Sequence, residues 1–257
     1  MSSRPILHGM PELALLQTDG RIATLSLNRV EKRNALSIDL LDALHARVDA
    51  LASSPEISVC IITGAGPTFC SGMDLKAVLR EPGAPLRLLS SIAELTIKIR
   101  RLPQVTIAKV NGAAIGGGCG LVGVCDIAVT HPDAKLGYPE VDLGVCPAVV
   151  APWLVQAVGA GTARRILLEG GTMSGLRAME LGLVSSAVPR EELDAAVQER
   201  ADRLSKAGPG ALRATKKLLH DLGGEALEAA VRKGAQLSAE VIAGEEAQRM
   251  LGQLYGG

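Results

Sequence analysis

Aromatic residues are nearly missing from this chain. Phe69, Tyr138, Trp153 and Tyr255 make up 2% of it, too few for the stacking platforms on which single-stranded nucleic-acid binders lay their bases. Net charge is missing as well: Lys and Arg number 27, and so do Asp and Glu. No overall field draws the chain onto DNA, RNA or an anionic membrane, and an anionic ligand has to be captured by a local arrangement. The cysteines, Cys60, Cys70, Cys119, Cys125 and Cys146, are odd in number, contain no C-x-x-C pair and stand among apolar or glycine neighbours. They read as reduced, buried thiols of a cytoplasmic protein. His8, His45, His131 and His220 are scattered, without the spacing of a metal site, so no metal is expected. Met1 to Pro11 lacks an apolar h-region, and the longest low-charge stretch, Gly112 to Cys125, is short and glycine-rich. Neither export nor membrane insertion is indicated.

What is present is an ordinary globular balance of 47% apolar and 21% charged residues over 257 positions, enough apolar surface to offset the entropy of folding around one large core. Leu13 to Asp19 and Arg21 to Leu27 are short apolar-rich runs broken at Asp19-Gly20, which predicts a hairpin. Ser37 is placed to cap a helix carrying Leu41, Leu44, Val48 and Leu51 on one face. Ile57 to Thr63 and Gln104 to Val110 are β-branched runs of the kind found in buried parallel strands, with a helical stretch from Leu86 to Arg101 between them. The alternation predicts an α/β fold with right-handed crossovers. From Glu191 onward the pattern is helical: Glu191 to Lys206, Pro209 to Asp221 and Gly224 to Gln253. The expected organisation is a catalytic core over residues 1–190 and a helical appendage over 191–257.

Two loops leave buried-type strands and then turn rich in small residues: Gly64 to Leu75 (GAGPTFCSGMDL) and Asn111 to Gly120 (NGAAIGGGCG). Small residues let bare backbone approach a ligand, and an N–H at the start of a following helix lies at the positive end of the helix dipole. Two such loops on adjacent strands can hold one oxyanion between them, which suits the enolate chemistry of thioesters; read singly, each fits a tight turn equally well. A rival pattern, the G-x-G-x-x-G of Gly118 to Gly123, has Glu140 at the offset of a dinucleotide fingerprint. It fails on context, because Asn111 to Gly117 separate it from the strand and Glu140 follows Pro139. Ser71 is outside any G-x-S-x-G elbow and has no nearby His, so a hydrolase triad has no support.

Four motifs in order resemble the enoyl-CoA hydratase/isomerase, or crotonase, superfamily over nearly the whole chain: NRVEKRNAL from Asn28, FCSGMD from Phe69, NGAAIGGGC from Asn111 and YPEVDLG from Tyr138. The resemblance implies a ββα spiral core with a C-terminal helical region, an acyl-CoA thioester as substrate with no cofactor beyond the coenzyme A it carries, and self-association to trimers or hexamers. Carried over by position, the backbone N–H groups of Met73 and Gly117 form the oxyanion hole. Ala35, Ser71, Asp74, Leu75, Lys76 and Gly120 line the acyl-CoA path, while Arg29, Lys32 and Arg33 are candidates for the CoA phosphates. Trp153 closes or underlies the acyl end, or is a core aromatic, and Cys119 and Cys146 line the pocket.

Hydratases of that family use two glutamates, at the positions of Gly120 and Glu140, and only Glu140 is present here. A carboxylate in so dry a place is expected to have a raised pKa and to move a proton next to the thioester. Asp142 is expected to be structural. One carboxylate leaves three chemistries open: hydration of a special substrate, 3,2-enoyl isomerisation, or acyl-CoA binding without turnover. GLVxxCD from Gly120 and the Pro147-Ala148 pair resemble bacterial hydratases for 3-methylglutaconyl-CoA, which puts hydration of a branched or carboxylated enoyl-CoA first.

Overall fold

The computed structural model describes residues 12–78, 83–223 and 225–255. Met1 to Pro11 and Gly224, which the sequence reading included, lie outside the described residues. The hairpin forms as expected from β1 (Ala14–Asp19) and β2 (Ile22–Leu27), turning at Asp19-Gly20. Ser37 caps α1 (Ile38–Ala52) by accepting the Leu40 N–H at 3.3 Å, and Leu40, Leu41, Leu44, Val48 and Leu51 are its buried face. β3 (Val59–Gly64) is buried along its whole length. The short α2 (Leu75–Val78) and the long α3 (Ala84–Arg101) carry the chain to β4 (Val105–Val110).

From here each turn leaves one strand in each of two sheets. β5 (Ala114–Ile115) precedes α4 (Gly117–Val124), and β6 (Ile127–Thr130) is followed by β7 (Lys135–Gly137). After α5 (Ala151–Val158) and α6 (Ala160–Glu169) come β8 (Thr172–Ser174), α7 (Gly175–Glu180) and β9 (Ser186–Ala187). The large sheet has the order β1-β2-β3-β4-β6-β9, parallel except for the first pair, and the small one is β5-β7-β8. This is the ββα spiral. In a strand successive side chains take opposite faces, and β3 shows the result: Cys60 and Ile62 join the main core with α1 and α3, while Val59 and Ile61 join a second cluster.

That second cluster changes how the C-terminal helices are understood. Leu193, Val197 and Ala201 of α8 (Leu193–Ser205) cover Val59, Ile61, Ile107 and Val129 of the large sheet. α9 (Pro209–Gly223) comes next. The stretch expected as one last helix is two, α10 (Glu225–Ala243) and α11 (Glu245–Tyr255), parted at Gly244, the residue type least costly to take out of a helix after Pro. Gly234 of α10 packs so closely on Ala148 that a Cβ there would overlap the Ala148 carbonyl. No helix among the described residues is long and apolar enough to cross a membrane.

Candidate active site

The C-terminal ends of β3 and β4 deliver the two glycine-rich loops to one place. The second loop runs beside the first through Cys70 N–H to Ala113 O (3.0 Å) and Ile115 N–H to Cys70 O (3.0 Å). Gly72 has φ +90, and a Cβ there would sit 2.9 Å from Ile115 O and 4.0 Å from Gly117 N, so only glycine lets the turn before Met73 lie against the start of α4. Met73 and Gly117 both line a small cavity. Among the described residues neither backbone N–H is used in a hydrogen bond, and Gly117, as the first residue of α4, has its N–H at the positive helix end.

A turn built from the first motif holds this loop from the other side. Leu36 N–H donates to Gly72 O (2.8 Å), Asp74 N–H to Leu36 O (3.0 Å) and Ser71 N–H to Arg33 O (3.1 Å). Arg29, expected at a CoA phosphate, instead spends its guanidinium inside the protein, 2.8 Å from Asp74 Oδ2 and 3.1 Å from Ala35 O. Lys32 and Arg33 are exposed on the turn, and among the described residues neither forms an ion pair. Leu75 is half-buried against the core and Lys76 is exposed. The organiser of the turn is Asn34, which the sequence reading passed over: it is fully buried at φ +56, accepts the Arg29 N–H and donates to Ala65 O and Thr68 O. Asn is the residue type that tolerates this backbone and can bond locally, and that is the signal that was available.

Glu140 reaches the same cavity from the 3-10 turn Val141–Leu143 that it opens. Its carboxyl lies over Gly116 (φ +53), where a Cβ would stand 2.8 Å from Oε1. Oε2 is buried and has no hydrogen-bond partner among the described residues. Burial pushes the pKa up from 4.5 to about 7, against the contact with its own backbone N–H, and the charge of Asp142 adds to the rise. Asp142 itself accepts the Gly171 N–H at 2.8 Å, the structural role expected of it.

The remaining walls are Leu89, Ile92, Val145, Cys146, Pro147, Val149, Val150 and Ser238. Most of these carry no signal in the sequence, because they are ordinary apolar residues from distant elements. Gly120 faces Val150, whose Cγ1 would lie 2.6 Å from a Cβ at position 120. The place of a second carboxylate is therefore occupied by a valine methyl. Trp153 is not a wall of this cavity; it is 1% exposed between α5 and α3 and donates its indole N–H to Thr96 Oγ1 at 3.0 Å. Cys119, expected in the lining, is also elsewhere: its thiol donates to Ala114 O and accepts from Gly137 N–H, fixing β5, α4 and β7 together. Cys146 does border the cavity.

The free space is about 20 Å³, the room that one water needs. It joins a carboxyl poised to titrate near neutrality, two unengaged N–H groups and an apolar wall, an arrangement able to hold a developing oxyanion and move a proton beside it.

Residues 17–254 match the family model described as enoyl-CoA hydratase/isomerase. The chain is similar to the 2,3-dehydroadipyl-CoA hydratase of Escherichia coli K12, with 34% identity over 92% of each protein. It is similar also to the crotonyl-CoA hydratase of Syntrophomonas wolfei, with 32% identity over 80% of each. Among solved structures, an enoyl-CoA hydratase from Mycobacterium avium superposes with a TM-score of 0.85 at 30% identity, covering 96% of this chain and 98% of the other.

Proposed function

The chain belongs to the enoyl-CoA hydratase/isomerase family, and from that premise we propose that it adds water to a branched enoyl-CoA thioester, with Glu140 as the only acid and base. The observation that carries the reading is the buried Glu140 carboxyl, its Oε2 without a hydrogen-bond partner among the described residues, in a cavity bordered by Met73 and Gly117. The thioester oxygen sits between the Met73 and Gly117 N–H groups. Ionised Glu140 takes a proton from a water as the water oxygen bonds to the β-carbon and the double-bond electrons move into the thioester as an enolate. The same carboxyl then delivers that proton to the α-carbon. One carboxyl suffices because what it takes from water it returns to carbon. Removing either N–H donor from such a hole typically costs about 2.7–4 kcal/mol of transition-state stabilisation.

The acyl group was expected to be branched or carboxylated, of the 3-methylglutaconyl kind. Glu140 is the only ionisable carboxyl or cation among the described lining residues, so a substrate carboxylate beside it meets a like charge and no counter-ion; the branch suits Val145, Val149 and Val150. Lys32 and Arg33, exposed on the turn, are the candidates for the CoA phosphates, where paired cations would meet the charge. A second reading, 3,2-enoyl isomerisation, draws on Val150 filling the space at Gly120, because moving a proton between two carbons needs one base and no positioned water. Incubation of straight, branched and carboxylated enoyl-CoA esters in deuterated water, followed by mass spectrometry, separates them. Addition of water to a branched ester is the expected result; deuterium uptake with a shifted double bond makes the protein an isomerase, and unchanged esters leave an acyl-CoA binder.

A further inference from the structure

A water in a dry cavity needs more than one polar partner to be fixed. Bonded to Glu140 alone, it turns about that bond, and its lone pair is not aimed at the β-carbon. The cavity, about 20 Å³, offers Glu140 Oε2, the Met73 and Gly117 N–H groups and Ser238. The thioester oxygen takes the two N–H groups. Among the lining side chains that leaves Glu140 and Ser238, since the sulfur atoms of Met73 and Cys146 are weak acceptors and the others are hydrocarbon. The side facing Gly120 offers no partner, being filled by the Val150 methyl.

Ser238 is 1% exposed and lies inside α10. A serine within a helix ordinarily bonds back to the carbonyl one turn earlier or faces water. Among the described residues this one does neither: its Oγ leaves the helix, donating to Cys146 O at 2.7 Å and accepting from Ala148 N–H at 3.2 Å. The only hydroxyl proton is thereby committed, so Ser238 cannot turn to donate to a ligand. A hydroxyl oxygen carries two lone pairs; the Ala148 N–H uses one, and the other has no partner among the described residues. Gly234, one turn earlier in α10, lies against the Ala148 carbonyl and keeps helix and loop at this spacing. Ser238 therefore borders the cavity as an uncharged acceptor whose orientation is fixed.

We propose that Ser238 holds the reacting water together with Glu140, standing in for the carboxylate that position 120 lacks. One O–H of the water points to Glu140 and gives up its proton there. The other points to the remaining lone pair of Ser238 and stays on the oxygen, becoming the hydroxyl of the 3-hydroxyacyl product. The water lone pair is left to face the β-carbon, and Ser238 neither gains nor loses a proton. The proposal rests on the hydratase reading given above and adds a residue to it.

Two reactions of the same site separate this role from the pinning of the wall. Hydration of 2-methylbut-2-enoyl-CoA needs a positioned water; exchange of the α-hydrogen of 2-methylbutyryl-CoA in deuterated water needs the oxyanion hole and Glu140 alone. Mass spectrometry follows both, and the ratio of hydration rate to exchange rate is the quantity read. S238A and S238V are expected to lower that ratio about 10- to 100-fold. S238T, which has the shape of valine and keeps the hydroxyl, is expected to hold it near the parent value. An unchanged ratio in S238A and S238V, both reactions falling together or neither falling, overturns the proposal and leaves Ser238 a pin of the wall. A ratio that falls as far in S238T as in S238V assigns the effect to shape and overturns it as well. The parent tests the premise separately: exchange without hydration of any straight, branched or carboxylated enoyl-CoA removes the hydratase reading and the Ser238 role with it, whereas a hydrating parent with an unchanged ratio in the variants removes the Ser238 role alone.

Discussion

With Glu140 as the proposed acid and base, stability and activity oppose each other at this residue. Its pKa is raised in the folded chain, from 4.5 to about 7, so the folded state binds this proton more tightly than the unfolded one. The stability this gives is fully present below pH 4.5 and is lost as pH rises through about 7, on the order of 3 kcal/mol by linkage. E140Q is therefore expected to be more stable than the parent at pH 8 and little different at pH 4.5, measured by urea unfolding, while losing turnover at every pH. If the protein hydrates as proposed, kcat/KM of the parent is expected to rise through an apparent pKa near 7 to a plateau, because Glu140 as the proposed base acts ionised. Gly120 gives a second test at this scale. Alanine there gains about 1 kcal/mol of helix propensity but overlaps the Val150 methyl, a strain of about 1–3 kcal/mol. G120A is expected to be neutral or destabilising alone and stabilising in a V150A background, a coupling of about 1 kcal/mol or more in a double-mutant cycle of unfolding free energies.

Between elements, the loop carrying Met73 takes its position from the turn at residues 29–36. Arg29 ties that turn to Asp74 and Ala35 with one guanidinium. R29A is expected to lower kcat/KM by about 10- to 100-fold through displacement of the Met73 N–H, with kcat falling and with circular dichroism unchanged. A residue that only met a CoA phosphate would raise KM and leave kcat alone. Asn34 and Gly72 explain why the turn can approach at all, the first by filling a buried corner with hydrogen bonds and the second by a backbone that a side chain would strain. Of these partners the sequence named Arg29 but pointed it to another role, since a charged side chain in a loop carries no sign of which carboxylate will be near it.

For the whole molecule, the expected boundary near residue 190 meets a sheet that needs the helices beyond it. α8 covers Val59, Ile61, Ile107 and Val129, all nearly out of solvent, and Ser238 and Gly234 of α10 pin the cavity wall. A fragment of residues 1–190 is expected to aggregate or unfold without cooperativity, since each of those side chains returned to water costs about 1.5–3 kcal/mol. A cooperative urea transition of the fragment would instead show an independent core.

The sequence by itself determined the α/β alternation, the hairpin, the Ser37 cap and the two small-residue loops, because periodicity, capping and glycine placement act within a few residues of chain. It also singled out Glu140, Met73 and Gly117, through motifs rather than through any visible contact. Only the tertiary structure decided that Val150 stands where a second carboxylate would be, that Trp153 and Cys119 are core, that Arg29 faces Asp74, and that α8 and α10 complete the sheet and the cavity. These are contacts between residues far apart in the chain, and the same side chain can serve either role until packing brings its neighbour to it.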